Sequence, residues 1–245
     1  MKLVALIPTR WASTRFPGKA LVPILGKPMI EHVYRRAQAI PGIDDVVVAT
    51  DSAEIQRTVL NFGGRVVMTA ENHISGSDRL AEAADILSLA AEDIIINIQG
   101  DQPAFDPEQA ALVARPLRVD PDLEMSTLAL PLTSSEDINN PNHVKVVFNR
   151  DHEALYFSRA PIPWPRDGEE DYFKHIGIYA YRAGFLRHFV GLPEGRLERI
   201  ERLEQLRALE NGARIKVVVT SGLSPEVDVP ADVRAAEEAL RLADN

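Results

Sequence analysis

Leu3-Val4-Ala5-Leu6-Ile7-Pro8-Thr9-Arg10-Trp11-Ala12-Ser13-Thr14-Arg15-Phe16-Pro17-Gly18-Lys19 is the stretch on which the fold turns. Leu3 to Ile7 is an unbroken apolar run of strand length, the pattern of a strand covered on both faces. It empties into a polar loop that carries Arg10, Arg15 and Lys19. In a doubly wound sheet the loop after the first strand lies at the ligand crevice. There Gly18 lets the backbone approach a ligand, Ser13 and Thr14 can donate hydrogen bonds, and the three cations can neutralise a polyphosphate. The same residues also suit a solvated surface loop. Neither G-x-G-x-x-G nor the Walker G-x-x-x-x-G-K-[ST] pattern is present, which argues against a nicotinamide dehydrogenase.

Working outward, apolar runs alternate with amphipathic segments. Met29, Ile30, Val33, Ala37 and Ile40 follow helical spacing after Pro28. Val46 to Ala49 reads as a second strand, and Ala53 to Phe62 as a helix ended by Gly63-Gly64. Val66 to Met68, a helix from Asp78 to Leu89, and the strand Ile94 to Ile98 continue the order. This βαβα order predicts an α/β fold with a mostly parallel sheet and helices on both faces. After about residue 120 the rhythm changes. Glu124 to Leu130 and Val144 to Phe148 read as strands, then come Pro161, Pro163 and Pro165, then a strand from His175 to Tyr181. The expectation is one domain over residues 1–245, with an antiparallel excursion at about 130–185 covering the crevice. Leu197, Ile200, Leu203, Leu206 and Leu209 return to helical spacing, Ile215 to Val219 is a strand, and a last helix starts near Pro230.

Bulk properties narrow the function. A chain of 245 residues can bury a sizeable core. Its net charge of −9 makes a broad nucleic-acid face an unsuitable reading, so anions must be met by local clusters. With no Cys, thiol catalysis, disulfides and Cys-based zinc sites are excluded. No apolar run approaches the ~20 residues of a membrane span, and Met1 to Pro8 is too short for a signal peptide, so a cytoplasmic protein is expected.

The fourth strand ends in Asn97-Ile98-Gln99-Gly100-Asp101-Gln102-Pro103. A carboxylate just past such a strand sits at the crevice, and hard divalent metals take carboxylate and phosphate oxygens. Asp101 is therefore a candidate Mg²⁺ ligand, or else a turn Asp bonding its own backbone. Asp228 is a second candidate, or a residue placed there by the start of a helix.

Taken together, the segments resemble the 3-deoxy-manno-octulosonate cytidylyltransferase family. They are Ile7-Pro8-x-Arg10-x-x-Ser13-Thr14-Arg15-x-Pro17-Gly18-Lys19, Gly26-Lys27-Pro28-Met29-Ile30, Ala49-Thr50-Asp51, Ser75-Gly76-Ser77-Asp78-Arg79 and Gln99-Gly100-Asp101. Ala154-Leu155-Tyr156-Phe157-Ser158-Arg159, His175-Ile176-Gly177-Ile178-Tyr179, Leu203-Glu204-Gln205-Leu206-Arg207 and Val227-Asp228 complete the series. The first motif suits many sugar nucleotidyltransferases, whereas the later ones in this order are much more specific. The resemblance implies a Rossmann-like nucleotidyltransferase fold, usually a homodimer, that joins a sugar acid to CMP for lipopolysaccharide biosynthesis. It implies that Pro8, Arg10, Ser13, Thr14, Arg15, Lys19, Ser75 and Arg79 handle CTP, with Arg10, Lys19 and Asp101 catalytic and Mg²⁺ on Asp101 and Asp228. It places Gln99, Arg159, His175, Tyr179, Glu204 and Gln205 around the sugar acid.

Each residue also has a plainer reading. His175 and Tyr179 suit a polar sheet face, Glu204 and Gln205 a solvated helix face, and Arg159 a surface ion pair. Two departures stand out. Val229 replaces the family's usual Thr, and Gln102 stands where the better-known members carry Glu. A branch using the 8-amino analogue of the sugar resembles the Gln102 form. Another sugar acid such as a neuraminate, or a nucleotide-binding protein without turnover, remain the alternatives.

Overall fold

The computed structural model describes residues 1–11, 16–167, 171–221 and 226–243. β1 (Leu3–Thr9) leads, through the small hairpin β2 (Pro23–Ile24) and β3 (Lys27–Pro28), into α1 (Met29–Gln38). β4 (Asp45–Thr50), α2 (Ala53–Asn61), β5 (Arg65–Met68), α3 (Gly76–Ile86) and β6 (Ile94–Asn97) continue the alternation. β1 pairs in parallel with both β4 and β6, and β4 with β5, as the sequence predicts.

Period-two alternation sorts each strand between two helical layers. Leu3, Ala5 and Ile7 pack with the layer of α1 and α2, and Val4 and Leu6 face α3 on the other side. α4 (Pro107–Val119), which spacing alone did not single out, joins the first layer. Its onset was readable, because Asp106 caps it and Pro107 occupies the first turn.

The second half supplies β7 (Met125–Leu132), α5 (Ser135–Asn139), β8 (Lys145–Phe148), β9 (Ala154–Ser158) and β10 (Tyr172–Arg182). α6 (Ala183–Val190), α7 (Arg196–Glu201), α8 (Gln205–Glu210), β11 (Ile215–Val219) and α9 (Val233–Ala243) follow. Among the described residues the main sheet runs β11-β7-β10-β6-β1-β4-β5. β10 is antiparallel to β6 and β7, and the antiparallel pair β8–β9 hangs from β10.

The leucine spacing at 197–209 predicts one helix, and the structure corrects this to two. The chain breaks at Arg202, whose φ of 54° lies in the left-handed region. Leu203 and Leu206 are still buried, so the spacing reported the buried face but not the turn between.

The C-terminal start differs as well. Pro230–Asp232 forms a 3-10 turn, and α9 begins only at Val233. Asp232 Oδ2 accepts from the backbone N–H of Asp228 (2.8 Å) and of Val229 (2.9 Å), the return half of a capping box. Val229 has no acceptor to complete it and is exposed. Val229→Thr is therefore expected to stabilise the fold by about 1 kcal/mol with activity unchanged. Urea melts check this, and an unshifted or lower midpoint refutes the cap.

Candidate active site

The loops after β1 and β6 meet at the carboxyl edge of the parallel strands, where such sheets bind ligands. Gly100 makes the meeting possible. A Cβ there would stand 2.7 Å from Thr9 Oγ1 and 3.3 Å from the Pro8 carbonyl oxygen. Gly18 has a φ of 68°, and the Trp11 indole lies 3.4 Å from where its Cβ would sit. It turns the chain so that Lys19 reaches inward.

Lys19 Nζ donates to Asp101 Oδ2 at 2.7 Å and to Asp228 Oδ1 at 3.4 Å. Asp228 reaches this place from far along the chain by tertiary packing. Val227 is buried with Ile24, Met29, Ala236 and Leu240, and its N–H donates to the Asp101 carbonyl at 2.9 Å.

Opposite these carboxylates stands the N-terminus of α3. Ser75 Oγ accepts from Asp78 N, and Asp78 Oδ2 accepts from Ser75 N, a complete capping box. The remaining first-turn N–H groups and the helix dipole favour an anion. The open cavity between this end of α3 and the carboxylates is ≈ 310 Å³ and is lined by Pro8, Arg10, Lys19, Ser75, Arg79, Gln99, Asp101 and Asp228. Every described member of the expected nucleotide set is therefore at one place, with Gln99, assigned by the resemblance to the sugar side, among them. Ser13, Thr14 and Arg15 lie outside the described residues.

Arg79 is only 3% exposed and donates to Asp51 Oδ2 at 2.6 Å and to Thr69 Oγ1. Much of its charge is thus already neutralised by protein. Thr9, His73, Ile74 and Gly100 also line the cavity and were not singled out by sequence reasoning.

A second, larger cavity adjoins the first, and Asp228 lines both. Arg159 and His175 line this one. Arg159 is anchored by Nε to the Glu201 carbonyl (2.7 Å) and by Nη1 to the Pro141 carbonyl (3.0 Å), and its N–H donates to Glu201 Oε2 (2.9 Å). It makes no surface ion pair among the described residues. Its own carbonyl accepts from Lys145 Nζ at 2.8 Å. Lys145 is fully buried, its other partner being the Asn140 carbonyl, and burial pushes its pKa down. Nothing in the run Val144-Lys145-Val146 distinguishes this lysine from an exposed one.

His175 is partly open to the cavity, yet the packing around it pushes its pKa down to about 3, with Lys174 adding to the effect. It is therefore neutral at pH 7. The Tyr179 ring packs against the His175 ring, at 5.2 Å between centroids.

Tyr179, Glu204 and Gln205, expected around the sugar acid, are not among the residues that line these two cavities. Glu204 Oε2 instead accepts from Ser77 Oγ of α3 at 2.7 Å, and burial pushes its pKa up. Nor are Glu204 and Gln205 a solvated helix face, for Gln205 is 5% exposed. Glu204 Oε1, Gln205 Nε2 and Asn97 Oδ1 are closed off without a hydrogen-bond partner among the described residues, although Glu204 Oε1 lies 3.8 Å from Arg207 Nη2.

Two carboxylates, a lysine and an arginine beside a capped helix N-terminus, at the edge of a doubly wound sheet, define a crevice for a phosphorylated nucleotide. Comparison with known proteins makes this specific. Residues 4–215 match the Cytidylyltransferase family, and the chain belongs to that family. It is 52% identical over 241 residues to 3-deoxy-manno-octulosonate cytidylyltransferase of Syntrophus aciditrophicus, covering 98% of this chain and 97% of that one. It is equally 52% identical, over 247 residues, to 8-amino-3,8-dideoxy-manno-octulosonate cytidylyltransferase of Shewanella pealeana, covering 99% and 100%. A solved structure of CMP:2-keto-3-deoxy-manno-octonic acid synthetase complexed with CTP superposes with a TM-score of 0.94 at 41% identity, covering 99% of this chain and 100% of that one.

Proposed function

We propose that this protein transfers CMP from CTP to 3-deoxy-manno-octulosonate or its 8-amino analogue and releases pyrophosphate. The observation that carries the reading is the pair of adjoining cavities joined at Asp228. One is lined by phosphate-binding groups, and the other by an arginine suited to a carboxylate. The anomeric oxygen of the sugar forms a bond to the α-phosphorus while the bond from that phosphorus to the β-phosphate oxygen breaks. The protein's part is positioning and charge neutralisation. Arg10 and Lys19 offset charge on the departing pyrophosphate, the N-terminus of α3 faces the nucleotide, and Arg159 holds the sugar carboxylate.

Asp101 and Asp228 converge on one lysine, present hard oxygens and are partly exposed, which fits Mg²⁺ completed by phosphate oxygens and water. When bound, Mg²⁺ would neutralise phosphate charge and help ionise the attacking hydroxyl. Among the described residues no helix is long and apolar enough to cross a membrane. The cytoplasm and a homodimer belong to the proposal on family resemblance.

Pyrophosphate release with CTP across a panel of sugar acids tests the reading. Binding of CTP without release in any pairing would make this a nucleotide-binding protein instead. The panel must include both sugars, since relatives named for each are equally similar. One observation supports the 8-amino form. Gln102, fully buried, donates from Nε2 to Glu226 Oε1 at 3.1 Å, and Glu226 lines the larger cavity. The departure at residue 102 thus reaches that cavity through a neighbour.

Arg159→Lys is expected to raise KM for the sugar acid about tenfold or more, with KM for CTP little changed. Lysine keeps the charge, but it loses the planar fork and the anchoring bonds to Glu201 and Pro141. Equal changes for both substrates would remove Arg159 from the sugar side.

A further inference from the structure

We propose that Thr127 fixes His175 as the tautomer protonated on Nε2, so that Nδ1 faces the larger cavity as an acceptor for a sugar hydroxyl. The inference rests on the reading that this cavity takes the sugar acid. It makes Thr127 a positioning residue and changes what His175 does: the imidazole selects a hydroxyl and leaves the carboxylate to Arg159.

The argument begins with a bulge. β10 pairs with β7 in regular register up to Ile176↔Leu128 and resumes at Tyr179↔Thr127, so Gly177 and Ile178 are extra residues on β10. The bulge turns two backbone carbonyls toward one side chain. Thr127 Oγ1 lies 3.1 Å from the Ile176 carbonyl oxygen and 3.0 Å from that of Ile178. The same Oγ1 is 3.0 Å from His175 Nε2. A hydroxyl has one proton, and a carbonyl can only accept. The proton therefore goes to a carbonyl, and the hydroxyl's lone pair is left for the imidazole, which must supply its own N–H. That N–H is on Nε2. Thr127 is fully buried, so no solvent competes for these bonds.

The ring itself is held in place. Phe157 meets it edge-on at 5.1 Å and an interplanar angle of 82°, and Tyr179 packs at 5.2 Å. Nδ1 has no partner among the described residues and is not among the polar atoms sealed from solvent. Beside it, a Cβ on Gly177 would meet nothing within 4 Å, so the cavity is open at this point. The neighbouring Lys174 disfavours a second proton on the ring, in keeping with the depressed pKa. A neutral Nδ1 lone pair calls for a donor, and a polyhydroxylated sugar acid offers hydroxyls. A site built around such a bond discriminates strongly against an analogue that lacks the hydroxyl.

Nitrogen NMR of the full-length protein labelled with ¹⁵N-histidine reads the tautomer directly, with His175 assigned by its loss in His175→Gln. The expected result is a protonated, pyrrole-type Nε2 and a pyridine-type Nδ1 at neutral pH. A proton on Nδ1, alone or with one on Nε2, overturns the inference. Kinetics give the second readout. Thr127→Val keeps the shape and removes the acceptor, and should raise KM for the sugar acid roughly tenfold while KM for CTP holds. Thr127→Ser should restore most of the affinity. Equal impairment by Val and Ser would reduce Thr127 to packing and overturn its role. If Thr127→Val does not fold, the wild-type spectrum and the Ser variant still decide. Failure of every sugar acid to support pyrophosphate release would instead refute the proposed function, and the spectrum keeps the two failures apart.

Discussion

Asp101→Asn is expected to leave a folded protein whose pyrophosphate release falls at least about a hundredfold. The carboxylate lies at the floor of the smaller cavity, 2.7 Å from Lys19 Nζ. Asn keeps the shape and one acceptor oxygen, so the loop after β6 should hold its path. The lost charge matters in two ways. Lys19 is left with Asp228, at 3.4 Å, as its one carboxylate partner among the described residues, and a divalent cation loses one of two carboxylates on which the proposed reading depends. Thermal unfolding and turnover across a Mg²⁺ titration check this together. An unchanged melt with activity lost at every Mg²⁺ concentration, or recovered only at high concentration, is the expected outcome. Near-normal turnover at limiting Mg²⁺ would remove Asp101 from the metal.

The largest effect on stability is expected at Arg207→Met. Arg207 donates from Nε to Glu198 Oε2 at 2.8 Å and from Nη2 to Glu198 Oε1 at 2.6 Å, a two-point contact between α7 and α8. The side chains are 13% and 10% exposed. The guanidinium also lies over the Phe189 ring, 5.1 Å from its centroid. Methionine fills much of the space but strands the Glu198 carboxylate in a poorly solvated place, which costs about 3 kcal/mol or more. The pH dependence has a definite sign. Burial pushes the Glu198 carboxyl up, but the bonds from Arg207 and from the Gly195 N–H prevail and hold it below its usual value. A depressed carboxyl contributes stability above its unfolded pKa, and that stability disappears as pH falls through the lower folded value. The gap between wild type and Arg207→Met should therefore be full near pH 7 and narrow below about pH 4. Urea melts at both pH values test it, and a gap that is constant with pH would mean that the loss is packing alone.

Much of the site was legible in the chain itself. Arg10 and Lys19 follow an apolar run, Asp101 follows another, and both runs proved to be neighbouring parallel strands whose exits face one crevice. Ser75 and Asp78 have capping-box spacing, a signal the reading of a helix from Asp78 passed over, and in the structure the helix starts at Gly76 behind that box. Less was legible for the residues expected around the sugar acid. Spacing put Glu204 on a helix but could not show that Ser77, 127 residues away in sequence, would take its Oε2 and leave Oε1 enclosed. The break at Arg202 was invisible as well, because the leucine spacing is satisfied on both sides of it. Val229 was legible as a missing cap, and the structure places it at that position, at the head of a 3-10 turn ahead of α9.

By itself, the sequence determined the strand–helix alternation of the first half, the α/β architecture with helices on both faces of a mostly parallel sheet, and the exits of β1 and β6 as the ligand edge. These depend on local periodicity, which sets which face of each element is buried, and on the chain geometry of parallel strands. Only the tertiary structure decided the partners. Lys19 bridges Asp101 and Asp228 across 82 and 209 residues of sequence. Lys145 holds the Arg159 carbonyl from a fully buried strand position, and Thr127 meets His175 only because β10 bulges by two residues against β7. Such contacts depend on the register between distant strands, and moving that register by one residue turns a side chain to the opposite face while the local pattern stays the same.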